Sequence, residues 1–420
     1  MELEQHDWQR LTRQRWWVLA ASCLINMCIG SMYAWSVFSA PLAEKFNALG
    51  NTGITAGSLA VVFTVGNSVG PITLISGGMF NDKMGPKWVI FLGGLMFGGG
   101  MLLCSVATGL PLLIVGFGLG CGLAMGLVYG CTVSNSVKFF PDHRGLIGGL
   151  TTATYGISSV IVPPVANAII ENLGVSAAFQ VLGLVFLAVI CGGSFLVRRC
   201  PEGFVPTGWI PPVRSAAAPG VDLDWRGMLS SRVFYVMIFM LTCGAFSGLM
   251  VISQASAIAQ SMAGFSAAAA AVAVSVLALF NGGGRVVAGW LSDRLGRIPT
   301  LRGVFVLYVC GLLLFTITTP GKTIIFYGGI ALVGFCFGAF MGIFPGFTAD
   351  QFGVKHNSVN YGIMFIGFAL AGLFGPMGMS ALYESSGSYV PAFLLGMVLS
   401  VAGLVLTFLY QRCAKSTTQA

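Results

Sequence analysis

Charge is scarce in this chain. Lys, Arg, Asp and Glu make up 8% of its 420 residues, against roughly a quarter in an ordinary soluble domain. With 56% hydrophobic residues, a water-soluble fold is excluded. Carboxylates number thirteen, and all fall at the ends of apolar runs or between them. The histidines are His6, His143 and His356, too few and too far apart for a metal or proton-relay cluster. Eleven cysteines are scattered, mostly within apolar runs and without metal-ligand spacing. They read as small packing residues, and neither metal nor cofactor is expected. An intramembrane enzyme would need clustered His, Asp or Glu, or a Ser/His pair, at membrane depth; none is found, so the chain does not read as an enzyme.

What is abundant is long apolar sequence. Runs of about 20 residues between polar breaks give twelve expected membrane spans, at 16–40, 54–80, 88–108, 110–138, 145–171, 175–198, 232–262, 265–292, 299–319, 322–350, 357–383 and 388–411. The first follows Arg10, Arg13 and Arg15; it is too long for a signal peptide and reads as a retained helix. The formal charge of +8 does not call for a nucleic acid. With twelve spans, eighteen Lys and Arg fall on one side, only Lys45 and Lys322 on the other, and Arg285 inside. By the positive-inside rule both termini and the central loop are cytoplasmic, and the expected location is the plasma membrane or a bacterial inner membrane. Glycine, 59 residues, is about twice as common as usual. The series Gly116, Gly118, Gly120, Gly122, Gly126 and Gly130 lies inside an apolar helix with no preceding strand. Close helix packing fits it better than a phosphate cradle.

The chain is doubled. Gly78, Asp82, Lys83 and Gly85 follow the second span, and Gly289, Asp293, Arg294 and Gly296 follow the eighth, at a constant offset of 211 residues. A stretch with five prolines, 199–229, separates the halves. The expected domains are an N-terminal six-helix bundle (1–198), a linker (199–229) and a C-terminal six-helix bundle (230–420). Repeated halves with a site between them are the architecture of secondary transporters.

Arg285 is the one cation deep within a span. Its surroundings, 265–291, are almost wholly apolar apart from Asn281 and three consecutive glycines. A charge near mid-bilayer costs roughly 2.5–3.5 kcal/mol on insertion scales, and such residues commonly mark binding sites. Eight residues separate it from Asp293, about 12 Å of helix rise in a core of about 30 Å. Guanidinium is a planar fork suited to a carboxylate, and Asn281 lies one turn away on the same face. A structural charge bonded to backbone carbonyls is the alternative.

The two Gly–Asp–basic–Gly motifs resemble the signature of the major facilitator superfamily. Further stretches are similar to its oxalate/formate antiporter and monocarboxylate transporter branch: Tyr129 and Gly130, the run from Lys138 to Leu146, Thr154 to Gly156, Asn281 to Arg285, Phe344 and Pro345, Asp350 to Gly353, and Asn360 to Gly362. The resemblance implies an all-α membrane fold of twelve helices in two pseudo-symmetric bundles, with Arg285 as the substrate-binding arginine. It also implies that Tyr33, Tyr129 and Tyr155 face the cavity, and that Phe337, Phe340, Met341, Phe365 and Phe368 occupy positions that matter. Asp82, Lys83, Asp293, Arg294 and Arg297 would form a cytoplasmic gate, although charges that merely cap helix ends are the plainer alternative. In oxalate exchangers of this branch a lysine stands at the position of Phe368. With one intramembrane cation instead of two, a monoanion such as lactate, pyruvate or formate is expected over oxalate. Many monocarboxylate transporters carry an aspartate at the position of Asn281 and a lysine at that of Val37. Proton symport is expected by family analogy; anion exchange and uniport fit the residues equally well.

Overall fold

The computed structural model describes residues 2–51, 53–55, 58–210 and 222–417. Among them no strand occurs, and twelve helices are long and apolar enough to cross a membrane. They are α1 (Trp8–Ala48), α2 (Ala60–Met84), α3 (Pro86–Ser105), α4 (Leu110–Phe139), α5 (Arg144–Leu173), α6 (Val175–Ser194), α7 (Arg232–Ser253), α8 (Ala269–Leu295), α9 (Arg297–Thr316), α10 (Thr323–Phe352), α11 (Asn357–Ser386) and α12 (Val390–Cys413).

Where these bounds differ from the hydrophobic runs, polar contacts explain the difference. The seventh span was expected to reach 262, but α7 stops at Ser253 and a short helix, Ala255–Ala263, follows. Gln254 sits at the break, donating to Ser380 Oγ at 2.8 Å and accepting from the Tyr389 hydroxyl at 3.0 Å. α2 and α8 run past 80 and 292, carrying Asp82 and Asp293 on their last turns. Gly85 and Gly296 end them with φ of 86° and 93°, a left-handed geometry that costs glycine nothing. α1 tightens into a 3-10 turn at Gly30–Ala34, and α11 is interrupted at Phe365.

The residues form two compact units. One comprises Met1–Asp142, Thr154–Ile210 and Lys355–Gly362; the other comprises His143–Ala153, Pro211–Val354 and Ile363–Ala420. The expected halves, 1–198 and 230–420, are contiguous, whereas each unit also holds the opening turns of a helix from the other half of the chain. In the first unit α2 packs on α4 and α3 on α6; in the second α8 packs on α10 and α9 on α12. The same pairing thus recurs. Of the expected linker, 211–221 lies outside the described residues, including Pro211, Pro212, Arg214 and Pro219. Its described ends are docked. Phe204 is buried against the rings of Trp8 and Phe139, and Leu223 N–H bonds the Phe352 carbonyl at 2.9 Å.

Glycine sets the depth of the principal contacts. On α4, Gly122 and Gly126 lie against the carbonyls of Gly66 and Gly70, and Gly130 lies near that of Leu74. On α10, Gly334, Gly338 and Gly342 lie against the carbonyls of Leu277, Asn281 and Arg285. A β-carbon at Gly126, Gly338 or Gly342 would overlap the facing carbonyl. Small residues at four-residue spacing let helix backbones touch. This register makes Arg285 the counterpart of Leu74, at the same 211-residue offset as the motif aspartates.

Candidate functional site

Arg285 is 5% exposed in the second unit. Its Nε donates to Asn281 Oδ1 at 3.1 Å and its Nη1 to the Thr152 carbonyl at 2.7 Å. Both acceptors are neutral. Among the described residues no carboxylate pairs with it. A guanidinium carries five N–H donors, so three of them, two on Nη2 and one on Nη1, lie outside these bonds. The backbone is held as firmly: the Arg285 carbonyl sits between Gly149 of α5 and Gly342 of α10, each with no room for a β-carbon. Thr152 Oγ1 donates to the Gly149 carbonyl at 3.1 Å and reaches the Met341 carbonyl at 3.5 Å. The alternative of a structural charge on backbone carbonyl is therefore realised for one N–H group. The cation itself stays uncompensated.

Three expected aromatics form a second part of this unit. Phe365 and Phe368 are half-buried and stacked at 4.5 Å between centroids, with Phe337 at 6.2 Å from Phe368. Phe368 fills its position on α11 with an apolar ring. Phe340, the fourth expected aromatic, packs between helices. Its fully buried ring contacts Phe305 and Tyr308 of α9 and rests on Gly244 of α7, so it belongs to helix packing. Met341 is buried, and its backbone carbonyl is the contact with Thr152.

The three tyrosines assemble in the first unit. Tyr155 stands edge-on to Tyr33 and to Tyr129, each at 5.3 Å between centroids, an arrangement favoured by the ring quadrupoles. Tyr33 is 41% exposed, while Tyr129 and Tyr155 are buried. Gly30 permits the cluster, because a β-carbon there would overlap the Tyr155 carbonyl.

The repeated motif has the same mechanics in each unit. In the second, Asp293 accepts from the N–H groups of Gly145 and Leu146, both at 2.8 Å. It thereby caps the start of α5, where helix N–H groups lack partners. In the first, Asp82 accepts from Val359 N–H at 3.2 Å near the start of α11, and from Lys138 Nζ at 2.8 Å. Gly289 and Gly78 make this possible: a β-carbon would collide with Gly145 at the one and with Ser358 and Val359 at the other. Arg297 bridges Asp293 and Asp350, both at 2.8 Å, and Arg144 also binds Asp350. Two residues expected in the gate take no part in these ion pairs. Arg294 is over the Trp290 ring at 4.3 Å, and Lys83 forms no ion pair among the described residues. Lys138, Arg144 and Asp350 carry the pairs instead.

Sequence reasoning missed Thr152, whose contribution is a carbonyl that any residue would supply. It also missed the Arg15–Asp142 pair, two bonds of 2.8 Å with the guanidinium over Phe140, because 127 residues separate the partners.

Comparison with known proteins bears on this geometry. The family model described as Major Facilitator Superfamily matches residues 16–376. The chain is 30% identical over 364 residues to the uncharacterized MFS-type transporter YhjX of Escherichia coli, covering 86% of each chain. It is 28% identical to the oxalate:formate antiporter of Oxalobacter formigenes, covering 96% of this chain and 94% of that one. To human monocarboxylate transporter 11 it is 26% identical, covering 94% and 82%. Among solved structures, the MFS transporter FucP in its outward conformation superposes with a TM-score of 0.68 at 15% identity, over 93% of this chain and 98% of that one; this likeness concerns the fold.

Proposed function

The chain belongs to the Major Facilitator Superfamily, and on that premise we propose that it carries a small monocarboxylate, such as lactate or pyruvate, by alternating access together with a proton. The observation that carries this reading is Arg285, a buried cation whose partners are both neutral. An anionic ligand supplies the missing counter-charge, and a carboxylate matches the remaining N–H groups in shape and sign. Asn281 steadies the guanidinium from one turn away. In the same unit as Arg285, Phe337, Phe365 and Phe368 supply apolar surface for the rest of a small organic acid. Phe368 argues for one carboxylate over two, since a second charge would be desolvated against an apolar ring.

In this reading Asp82 and Asp293 gate the two helix starts that they cap, with Lys138, Arg144, Arg297 and Asp350 as partners. Both termini lie on the cytoplasmic side, following the distribution of Lys and Arg. A second reading, anion exchange, is favoured by the antiporter relative, which matches over nearly its whole length. It is favoured too because neither group bonded to Arg285 can carry a proton away.

Flux into liposomes holding the purified protein separates them. Symport predicts uptake of labelled lactate or pyruvate that an inward proton gradient accelerates. Uptake indifferent to the gradient and stimulated by internal anion identifies exchange. Absence of uptake for lactate, pyruvate and formate alike refutes the monocarboxylate assignment.

A further inference from the structure

We propose that the turn joining α2 to α3 is a binding site for the headgroup of an anionic phospholipid. The turn is Gly85, and three cations surround it. Arg199 wraps it, donating to the carbonyls of Asp82 and Lys83 at 3.1 and 3.2 Å, with its stem 3.3 Å from where a Gly85 β-carbon would lie. Lys83 precedes the turn and Lys87 follows it. Among the described residues none of the three is paired with a carboxylate. The nearby Asp82 carboxylate is already engaged by Lys138 and Val359 N–H.

Lys87 is the distinctive member. Its ammonium lies over two rings, 4.9 Å from Trp88 and 4.6 Å from Phe195, and no oxygen among the described residues accepts from it. A cation seated on a ring elsewhere in the chain is satisfied by side-chain acceptors. There Arg302 lies 3.9 Å over Phe408, but its Nε donates to Thr407 at 3.0 Å and its Nη2 to Gln411 at 2.8 Å. Lys87 has the aromatic seat and, among the described residues, no acceptor. A phosphate oxygen fits that role, and the uncapped N-terminus of α3 adds the positive end of a helix dipole to the same spot.

The setting selects a lipid over a free anion. Trp88 and Phe195, which seat the ammonium, are themselves 56% and 53% exposed, and Met84 and Leu196 beside them are also exposed. At the end of three membrane-spanning helices such residues meet acyl chains while the cations meet the headgroup layer. Inorganic phosphate would use the cations and leave this apolar rim unused.

Native mass spectrometry on the full chain tests this, scoring retention of phosphatidylglycerol against phosphatidylcholine. The wild type should prefer phosphatidylglycerol at one tight site. Each cation near the surface contributes a factor of about five. Lys87→Gln should therefore weaken the preference about fivefold, and Lys87→Gln with Arg199→Gln about twenty-five-fold. Arg302→Gln should leave it intact. Should the double variant misfold, Lys87→Gln alone carries the test, since that ammonium bonds to no other residue. An unchanged preference in Lys87→Gln overturns the site, and so does displacement of the lipid by millimolar inorganic phosphate.

Discussion

Replacing Arg285 by leucine separates its two conceivable roles, binding a ligand and holding helices together. Leucine is what the repeat already places in the matching register: Leu74 is 2% exposed and lies opposite Gly130 as Arg285 lies opposite Gly342. On the stability side, the variant loses two hydrogen bonds from a charged donor, roughly 1.5–3 kcal/mol each. It is relieved of a buried cation, whose insertion cost is roughly 2.5–3.5 kcal/mol. The two sides cancel to within about 3.5 kcal/mol, so Arg285→Leu should fold and be recovered in detergent as a monodisperse protein. On the binding side nothing compensates. Truncating one partner of a buried, hydrogen-bonded charge pair costs about 2–5 kcal/mol, which is a loss of roughly thirtyfold to several thousandfold in affinity.

The assay is uptake of labelled lactate and pyruvate into liposomes, paired with thermal unfolding of the same preparation. The expected pattern is near-normal unfolding with uptake at background. Arg285→Lys should fall close to it, because an ammonium keeps the charge and loses the planar fork. Two results would refute the reasoning. Uptake by Arg285→Leu at a wild-type rate removes the anion site. Failure of Arg285→Leu to fold means that the bonds to Thr152 and Asn281 are the residue's main purpose.

Other expectations follow from single contacts. Phe368→Lys should shift relative binding from lactate toward oxalate by tenfold or more, about the 1.4 kcal/mol that one additional ionic hydrogen bond supplies; competition binding measures it, and an unmoved ratio refutes the second-charge argument. Gly149→Ala puts a methyl against the Arg285 carbonyl and should destabilise by about 1–3 kcal/mol, whereas Gly303→Ala, which meets open space, should not; thermal midpoints decide. Burial pushes the Cys200 thiol up from 9.0 to about 12, with Lys138 opposing. The unfolded thiol loses its proton first, so this group's contribution to stability is constant below about pH 9 and declines between about 9 and 12. Alkylation of Cys200 at pH 8 should accordingly be slow in folded protein and rapid after denaturation in detergent.

The twelve spans were legible because hydrocarbon demands about 20 apolar residues per crossing and the breaks between them carry nearly all the charge. The repeated motif was legible as a pattern, but its mechanics were not. Gly78 and Gly289 matter because helix starts from the other half of the chain press against them, and Asp82 and Asp293 because they cap those starts. Neither partner lies near in sequence. The ion pairs of Lys138 with Asp82 and of Arg144 with Asp350 were hidden for the same reason, whereas Lys83 and Arg294 stood out only as sequence neighbours of the aspartates. The neighbours of Phe340, Phe305 and Tyr308, were not legible because an aromatic inside an apolar helix carries no signal for which neighbour it meets.

By itself, then, the amino-acid order determined that this is a twelve-span, internally doubled membrane chain with one cation at depth. Those properties depend on composition, period and transfer cost, all of which are local. The tertiary structure alone decided that the cation meets only neutral partners, that glycine seams press α5, α8 and α10 around it, and that Lys87 rests over two rings with no acceptor. Several of these contacts join groups far apart in the chain, Thr152 with Arg285 at 2.7 Å and Phe195 with Lys87 at 4.6 Å, and no local pattern in the sequence announces them.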